Sequence, residues 1–254
     1  MPEDPRSPRE LYDGTAKGWV RTGPLSLSDF TGRPPTLALC EPVVGLRVLD
    51  LGCGEGYCAR KLKASGARDV VAVDLSAAMI EAARAQERQE PLGIDYHVGD
   101  ATNLSSHTPG EFDLVVAMFL FNYLGRDQTR ESLQEIARVL RPGGKLVFTV
   151  PHPSLAFIRD ALPPFYFEVG EAGYFSARDV RFPGRIWKRD GTSLEVQMIH
   201  KTVEDYFEAL RSAGFTDLPI IRELGVTSEM RAIDPPFFAP LMDIPLHMAF
   251  CLIR

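Results

Sequence analysis

The chain has 254 residues, 45% hydrophobic and 24% charged, the balance of an ordinary globular protein with one large domain or two small ones. Its formal net charge of -6 argues against nucleic acid as the main partner, because such binders present a basic surface. No apolar run approaches the ~20 residues that span a bilayer, and Met1–Glu10 is proline-rich and charged, so neither a secretory leader nor a membrane anchor is expected and a cytoplasmic protein is.

Residues 1–35 are rich in Pro, Gly and charge and predict a mobile or loosely docked lead-in. Within it Tyr12 and Trp19 stand seven apart, on one face of any helix they share. Gly14 and Gly18 weaken such a helix on its own, so it is expected to order by covering something. From residue 36 to about 150, short apolar strands alternate with helical patterns. Leu46 to Leu51 predicts a strand, Tyr57 to Ser65 a helix stopped at Gly66, and Val70 to Asp74 a second buried strand. Ser76 is placed to cap a helix from Ala77 to about Gln89. Ile94 to Val98 and Phe112 to Met118 predict the next strands, and Asp127 a cap for a helix running to Leu140. Pro142, Gly143 and Gly144 then turn into the strand Lys145 to Val150. This alternation predicts an α/β fold with a doubly wound, mostly parallel sheet covered on both faces.

Residues 151–201 break the rhythm. They are crowded with aromatics, and Asp190-Gly191 between two extended segments is a hairpin signal. A small antiparallel cap inserted into the α/β core is expected there. Residues 202–213 predict a helix capped by Thr202 with Asp205 reaching back. Phe215 to Glu223 and Leu246 to Ile253 predict two last strands, with Asp234–Phe238 a loop between them. The expected units are therefore a lid segment (1–35), a ligand-binding core (36–150), a substrate cap (151–201) and the rest of the core sheet (202–254).

The most informative segment is V-L-D-L-G-C-G-E-G-Y at 48–57. An apolar strand ends in an acid, then glycines stand at 52, 54 and 56, then a helix starts. Glycine lets a backbone approach a ligand where a Cβ would clash, and the open N–H groups of the helix start face it. Dinucleotides usually meet G-x-G-x-x-G, with pyrophosphate on the helix start. Here position 57 is Tyr, and Asp50 precedes the loop, which disfavours pyrophosphate but suits a ligand carrying an ammonium and no phosphate. S-adenosylmethionine is such a ligand; a dinucleotide and a purely structural turn remain the alternatives. In this loop the backbone of Cys53 matters more than its sulfur.

In an open parallel sheet, ligands bind at the carboxyl ends of the strands. The groups at those ends are Asp50 with its loop, Asp74, Asp100 and the segment Phe119–Asn122. Asp74 lies 22 residues after Gly52, where a carboxylate can accept both hydroxyls of a ribose. It could instead cap the following helix, a role Ser76 already fills. Asp100 is placed to accept an adenine amine or to make a surface turn. The four cysteines, Cys40, Cys53, Cys58 and Cys251, match no zinc spacing, and no metal is expected.

Taken together, V-L-D-L-G-C-G-E-G-Y (48–57), V-D-L-S-A-A-M (73–79), G-D-A (99–101), F-D-L-V-V-A (112–117) and L-R-P-G-G-K-L-V-F (140–148) resemble the class I S-adenosylmethionine-dependent methyltransferases. The resemblance implies a seven-stranded sheet whose last strand is antiparallel, S-adenosylmethionine as cofactor and S-adenosylhomocysteine as product. It implies that Asp74 holds the ribose, Asp100 the adenine amine and the 52–56 loop the methionine part. Leu75, Met79 and Ala101 would flank the adenine, with Asp50 acting through water or the loop backbone. The Y-D-x-x-A-x-x-W segment from Tyr12 to Trp19 resembles the family's opening segment that folds over the cofactor. More narrowly, Pro35 to Leu124 is similar to bacterial natural-product methyltransferases, the N-methyltransferase of toxoflavin biosynthesis among them.

Methyl transfer from a sulfonium mainly requires nucleophile, carbon and sulfur to be held in line. A base is needed only if the nucleophile starts protonated. His152 in V-P-H-P follows the fifth strand on the ligand side and is the candidate base; otherwise it shapes the substrate wall. His200 is a weaker candidate, and His97, His107 and His247 read as structural or exposed. Asn122, Tyr123, Phe165, Tyr174, Trp187 and His200 are the candidate substrate contacts. The cap suits a flat small molecule, although its aromatics can equally form its own core. The chain lacks N-P-P-[YF] after the fourth strand, the paired glutamates of protein arginine methyltransferases and an evident magnesium set. The leading expectation is methyl transfer to N or O of a small aromatic or heterocyclic metabolite by a monomer or homodimer, with no nucleic-acid or membrane partner. A non-catalytic S-adenosylmethionine-binding module and an NAD-dependent oxidoreductase are the competing readings.

Overall fold

The computed structural model describes residues 7–21 and 23–254. The chain enters through α1 (Pro8–Trp19), α2 (Leu27–Thr31) and α3 (Arg33–Cys40). At the start of α1 the Ser7 hydroxyl accepts from the Glu10 N–H, and the Glu10 carboxylate accepts from the Ser7 N–H in return. This reciprocal cap, a proline in the first turn and the burial of Leu11 and Trp19 offset the two interior glycines. The lead-in is therefore helical and docked where described, not loose; its first part, Met1 to Arg6, lies outside the described residues.

Strand and helix then alternate: β1 (Arg47–Leu51), α4 (Tyr57–Ala64), β2 (Asp69–Asp74), α5 (Ala77–Gln89), β3 (Ile94–Val98), β4 (Phe112–Met118), a 3-10 turn at Phe121–Tyr123, α6 (Arg126–Val139) and β5 (Leu140–Pro151). The cap follows as α7 (Leu155–Ile158), β6 (Phe165–Phe167), β7 (Arg181–Trp187) and β8 (Ser193–Ile199). The chain returns through α8 (Val203–Ser212), β9 (Ile220–Leu224), α9 (Ser228–Ile233), α10 (Pro235–Phe238), a 3-10 turn at Ala239–Leu241 and β10 (His247–Ile253).

Seven strands form one sheet in the order β3-β2-β1-β4-β5-β10-β9, and β6-β7-β8 form a separate antiparallel sheet. The first five strands are parallel, and β10 runs antiparallel between β5 and β9. Strand order reverses beside β1, whose Val48 pairs with Val70 on one side and Leu114 on the other. Alternation along each strand fills two cores. Leu49, Leu51 and Val71 pack with Leu133 and Leu210 on one face, while Val48, Val70 and Ala72 pack with Leu62 and Ile80 on the other. Each buried Val, Leu or Ile among them contributes about 1.5–3 kcal/mol of burial. With helices on both faces, the carboxyl ends of the strands are left as the open rim.

The strand expected from Lys145 already starts at Leu140, and three other expectations move for a local reason. The segment Asp234–Phe238 is helical rather than loop: Thr227 caps α9 and Asp234 caps α10, and Phe238 and Leu241 are fully buried in the cap's core. The strand expected from Phe215 starts at Ile220, because Pro219 has no N–H for a ladder. Helix α6 is capped at Gly125, whose N–H is taken by the Gln128 side chain, rather than at Asp127.

Candidate active site

A cavity of about 430 Å³ opens at the rim above β1, β2 and β4, and side chains of β6, β7 and β8 complete its wall. This volume suits a nucleoside-sized ligand with a small partner. The loop after β1 sets its floor. Gly52, Gly54 and Gly56 all have left-handed backbones (φ 73, 57 and 86°), which only glycine adopts without strain. The N–H groups of Gly52 and Cys53 donate to the Val73 carbonyl at 2.8 and 3.1 Å, folding the loop onto the end of β2. A Cβ on Gly56 would lie 2.5 Å from the Tyr96 hydroxyl, whereas one on Gly54 would meet open space. The loop is thus packed tightly behind and bare in front.

Asp74 holds that loop as well as facing the cavity. One carboxylate oxygen accepts from the Gly54 N–H at 2.8 Å and the other from the Ser76 N–H at 2.9 Å. Burial raises its pKa against the pull of those two bonds. Asp50 is 1% exposed, and its Oδ2 has no hydrogen-bond partner among the described residues. Its pKa is pushed up to about 7, first by burial, then by Asp74 and Glu55 nearby. Arg33 pulls the other way without offsetting them. Asp100 lines the rim but is exposed and accepts from the Thr102 N–H and hydroxyl at 2.9 and 2.8 Å, an Asx turn. Leu75, Met79, Ala101 and Phe119 line the cavity beside it.

Helix α1 lies along one side of the cavity. The Asp13 carboxylate accepts from the Ser76 hydroxyl at 2.5 Å and the Ala78 N–H at 3.3 Å, anchoring the helix to the start of α5. Tyr12 hydrogen-bonds Tyr123 through their hydroxyls, and its ring lies 5.8 Å from that of Trp19. Tyr12, Trp19, Asn122 and Tyr123 all line the cavity.

Sequence reasoning missed two groups. The first is an ion network: Arg21 meets Glu55 at 2.8 Å and Asp29 at 3.1 Å, and Arg33 meets the same Asp29 at 3.0 Å. Arg21, Arg33 and Glu55 line the cavity. Their spacing carries no motif, because Arg21, Asp29 and Arg33 come from the lead-in while Glu55 stands in the glycine loop. The second is His247, 1% exposed and lining the cavity, where the sequence pointed to a structural or exposed role. Its signal was its place at the first residue of the last strand, which antiparallel pairing puts level with Pro151 at the ligand end of β5.

The cap candidates divide. Phe165 lines the cavity, joined by Phe167, Ile186 and Val196. Trp187, next to Ile186 on β7, points to the other face of that strand and packs on Tyr166 at 5.7 Å. Tyr174 and His200 lie in the cap's core: the His200 Nε2 donates to the Tyr174 carbonyl at 2.8 Å, and both rings pack on Phe157. His152 is also turned away. Its Nδ1 accepts from the Ser154 N–H at 3.2 Å and its Nε2 meets the Glu223 carboxylate at 3.0 Å. Neither nitrogen faces the cavity lining, so the base expected there is not placed for the chemistry.

The strand order with a glycine loop at the switch point is the fold of class I S-adenosylmethionine-dependent methyltransferases. Residues 48–144 match the family described as Methyltransferase domain. It is similar to a ubiquinone biosynthesis O-methyltransferase of Xanthomonas euvesicatoria, 35% identical over 104 residues. That match covers 41% of this chain and 42% of the relative's length. Among solved structures, an S-adenosylmethionine-dependent methyltransferase from Mesorhizobium loti is 27% identical with a TM-score of 0.64, covering 87% of this chain and 96% of that one. A protein whose structure is described with the conversion of a disulfide into a thioacetal during echinomycin biosynthesis shares the fold at 19% identity, with a TM-score of 0.63 over 97% of this chain and 91% of its own. Among the described residues no helix is long and apolar enough to cross a membrane, and no cluster of His, Cys, Asp and Glu is placed to hold a metal ion.

Proposed function

We propose that this protein transfers the methyl group of S-adenosylmethionine to an oxygen of a small aromatic metabolite. The observation that carries the reading is the continuity of one cavity, from an acidic floor with an unpartnered Asp50 oxygen to the apolar cap wall of Phe165, Ile186 and Val196. When bound, the cofactor supplies a methyl carbon already activated by a sulfonium; an acceptor oxygen lone pair would take it as the carbon–sulfur bond breaks, leaving S-adenosylhomocysteine, and the acceptor's proton would pass to solvent. Asp74 would hold the ribose with its remaining lone pairs while keeping the loop in place. The bare front of Gly54 would let the backbone approach the methionine part. Asp50 would favour the cation, and Arg21 and Arg33 would meet the carboxylate. Met79 and Ala101 would flank the adenine, with the edge of Asp100 toward its amine. The α1 lid and the cap exclude water, which strengthens every charge interaction inside.

Oxygen is favoured over nitrogen by the kind of chemistry in the name of the Xanthomonas relative. Nitrogen, which the sequence left open beside oxygen, is the second reading. The test is incubation with S-adenosylmethionine labelled in its methyl group and a panel of catechols, hydroxybenzoates and aromatic amines. Label in an aryl ether, with one equivalent of S-adenosylhomocysteine, is the expected outcome. A thermal shift with NAD and none with S-adenosylmethionine would sink the reading.

A further inference from the structure

The two arginines beside the glycine loop spend their donors differently. Arg21 keeps 4% of its side chain exposed. Its Nη1 donates to the Trp19 carbonyl at 3.0 Å and meets Glu55 at 2.8 Å, and its Nη2 meets Asp29 at 3.1 Å. Its Nε is enclosed, with no partner among the described residues. Arg21 is thus spent inside the ion network. Arg33 is not. Its Nη1 donates to the Ser28 hydroxyl and to Asp29 at 3.0 Å, and its guanidinium lies over the Phe119 ring at 5.3 Å. Its Nε and Nη2 have no partner among the described residues, yet neither is enclosed. Arg33 keeps 13% of its side chain exposed and lines the cavity, so a ligand there can reach them. The Nε–H and one Nη2–H run parallel along one edge of the guanidinium, matched to the two oxygens of a carboxylate.

Asp29 sets the direction of that edge. Its carboxylate is buried, and its two oxygens divide the work. Oδ2 accepts from the N–H groups of Leu25 and Ser26 at 2.9 and 2.8 Å, which fixes it to the main chain, while Oδ1 holds both arginines. Burial acts to raise its pKa, but Arg33, Arg21 and the two N–H groups outweigh it, so the acid is ionised. We propose that Arg33 selects a cofactor whose amino-acid tail keeps its carboxylate, and that Asp29 is the positioning residue, holding Nη1 from behind so that the Nε–Nη2 edge faces the cavity. This narrows the two arginines near the carboxylate to the one that touches it. Arg21 ties Asp29 to Glu55 of the glycine loop, so the open edge stands beside the loop that takes the methionine part. A tail that keeps its ammonium but has lost its carboxylate would set a second cation beside Arg33 with no anion between them, and would leave two charged donors unpaired. The inference rests on the methyltransferase reading for the identity of the ligand.

The experiment is calorimetric titration of the full chain with S-adenosylhomocysteine and with its decarboxylated analogue, whose tail is an aminopropyl group. The wild type should prefer S-adenosylhomocysteine by roughly 30-fold. Arg33→Met should weaken S-adenosylhomocysteine by about that factor and the analogue by less than about twofold, so that the preference disappears. Arg33→Lys, which keeps the charge and loses the fork, should retain part of it. Asp29→Asn should cut the preference roughly tenfold although Arg33 is still present. Asp29→Glu, which keeps the charge and moves the anchor, should also cut it, and serves where Asp29→Asn does not fold by circular dichroism. A folded Asp29 variant with the wild-type preference overturns the positioning role. A side chain that merely braced the fold would affect both ligands alike, so equal losses in Arg33→Met overturn the proposal, as does a wild type that binds the two equally. Binding of neither ligand sinks the methyltransferase reading itself, a result distinct from equal binding of both.

Discussion

The two walls of the cavity are built on different principles. The floor comes from one stretch of chain: β1, the glycine loop and the end of β2 supply Asp50, Gly54 and Asp74 within 25 residues. Its groups are held by main-chain bonds, with Asp74 clamped on two N–H groups. The opposite wall gathers Phe165, Ile186, Val196 and His247 from four strands in two sheets. Its groups are held by side-chain packing. A wall made of backbone geometry suits a ligand that does not vary, and a wall made of packed side chains can be reshaped one residue at a time for a ligand that does.

If that contrast is right, the floor should be brittle and the cap tolerant. The largest effect is expected from Asp74→Ala, which removes the ribose acceptor and frees the loop together. Affinity for S-adenosylhomocysteine should drop on the order of 100-fold, about 2.7 kcal/mol, in line with loss of bonds to a charged group. Calorimetric titration reads this directly, and an unchanged affinity would remove Asp74 from the site. Next, Gly56→Ala should cost about 1–3 kcal/mol of stability, because its left-handed backbone strains any Cβ and the Tyr96 hydroxyl occupies the space. A denaturant midpoint equal to the wild type would contradict the tight packing behind the loop.

The cap comparison is sharpened by two neighbours on one strand. Ile186→Ala should raise the KM for an aromatic substrate by roughly tenfold, as expected for about 1.4 kcal/mol of lost apolar contact. Trp187→Ala should leave KM within twofold, since its ring packs on Tyr166 outside the cavity. Equal effects on KM would mean that the cavity wall is misplaced. The smallest effect concerns pH. With its pKa near 7 in the free protein, Asp50 is largely neutral at pH 6 and largely ionised at pH 8. A cationic ligand favours the ionised form, so S-adenosylmethionine should bind more tightly as pH rises through 7. The gain is bounded by about tenfold per pH unit for one proton. Asp50→Asn should flatten that slope; a slope of opposite sign would place the cation elsewhere.

The central sheet, its parallel order and the floor of the site were legible because each depends on short-range chemistry. Apolar runs, acids at strand ends and alternate glycines declare a strand, a turn and a ligand loop within ten residues. The lead-in was not legible in the same way. Its prolines and glycines look loose, yet the Ser7–Glu10 cap and the Asp13 contact with α5 dock it. His152 and His247 make the point most sharply. They are 95 positions apart and lie next to one another across a strand pair, His247 being level with Pro151. The motif around His152 drew attention to the histidine whose nitrogens are already satisfied. Nothing around His247 in the chain announced that it would line the cavity.

By itself the amino-acid order determined the α/β core and the acidic glycine loop, since period, propensity and backbone freedom act over a few residues. Tertiary structure alone decided which cap side chains face inward, which arginines reach the floor from the lead-in, and which histidine lines the cavity. Those outcomes turn on the register of antiparallel strands and on contacts between segments far apart in the chain, where a one-residue shift reverses every side chain.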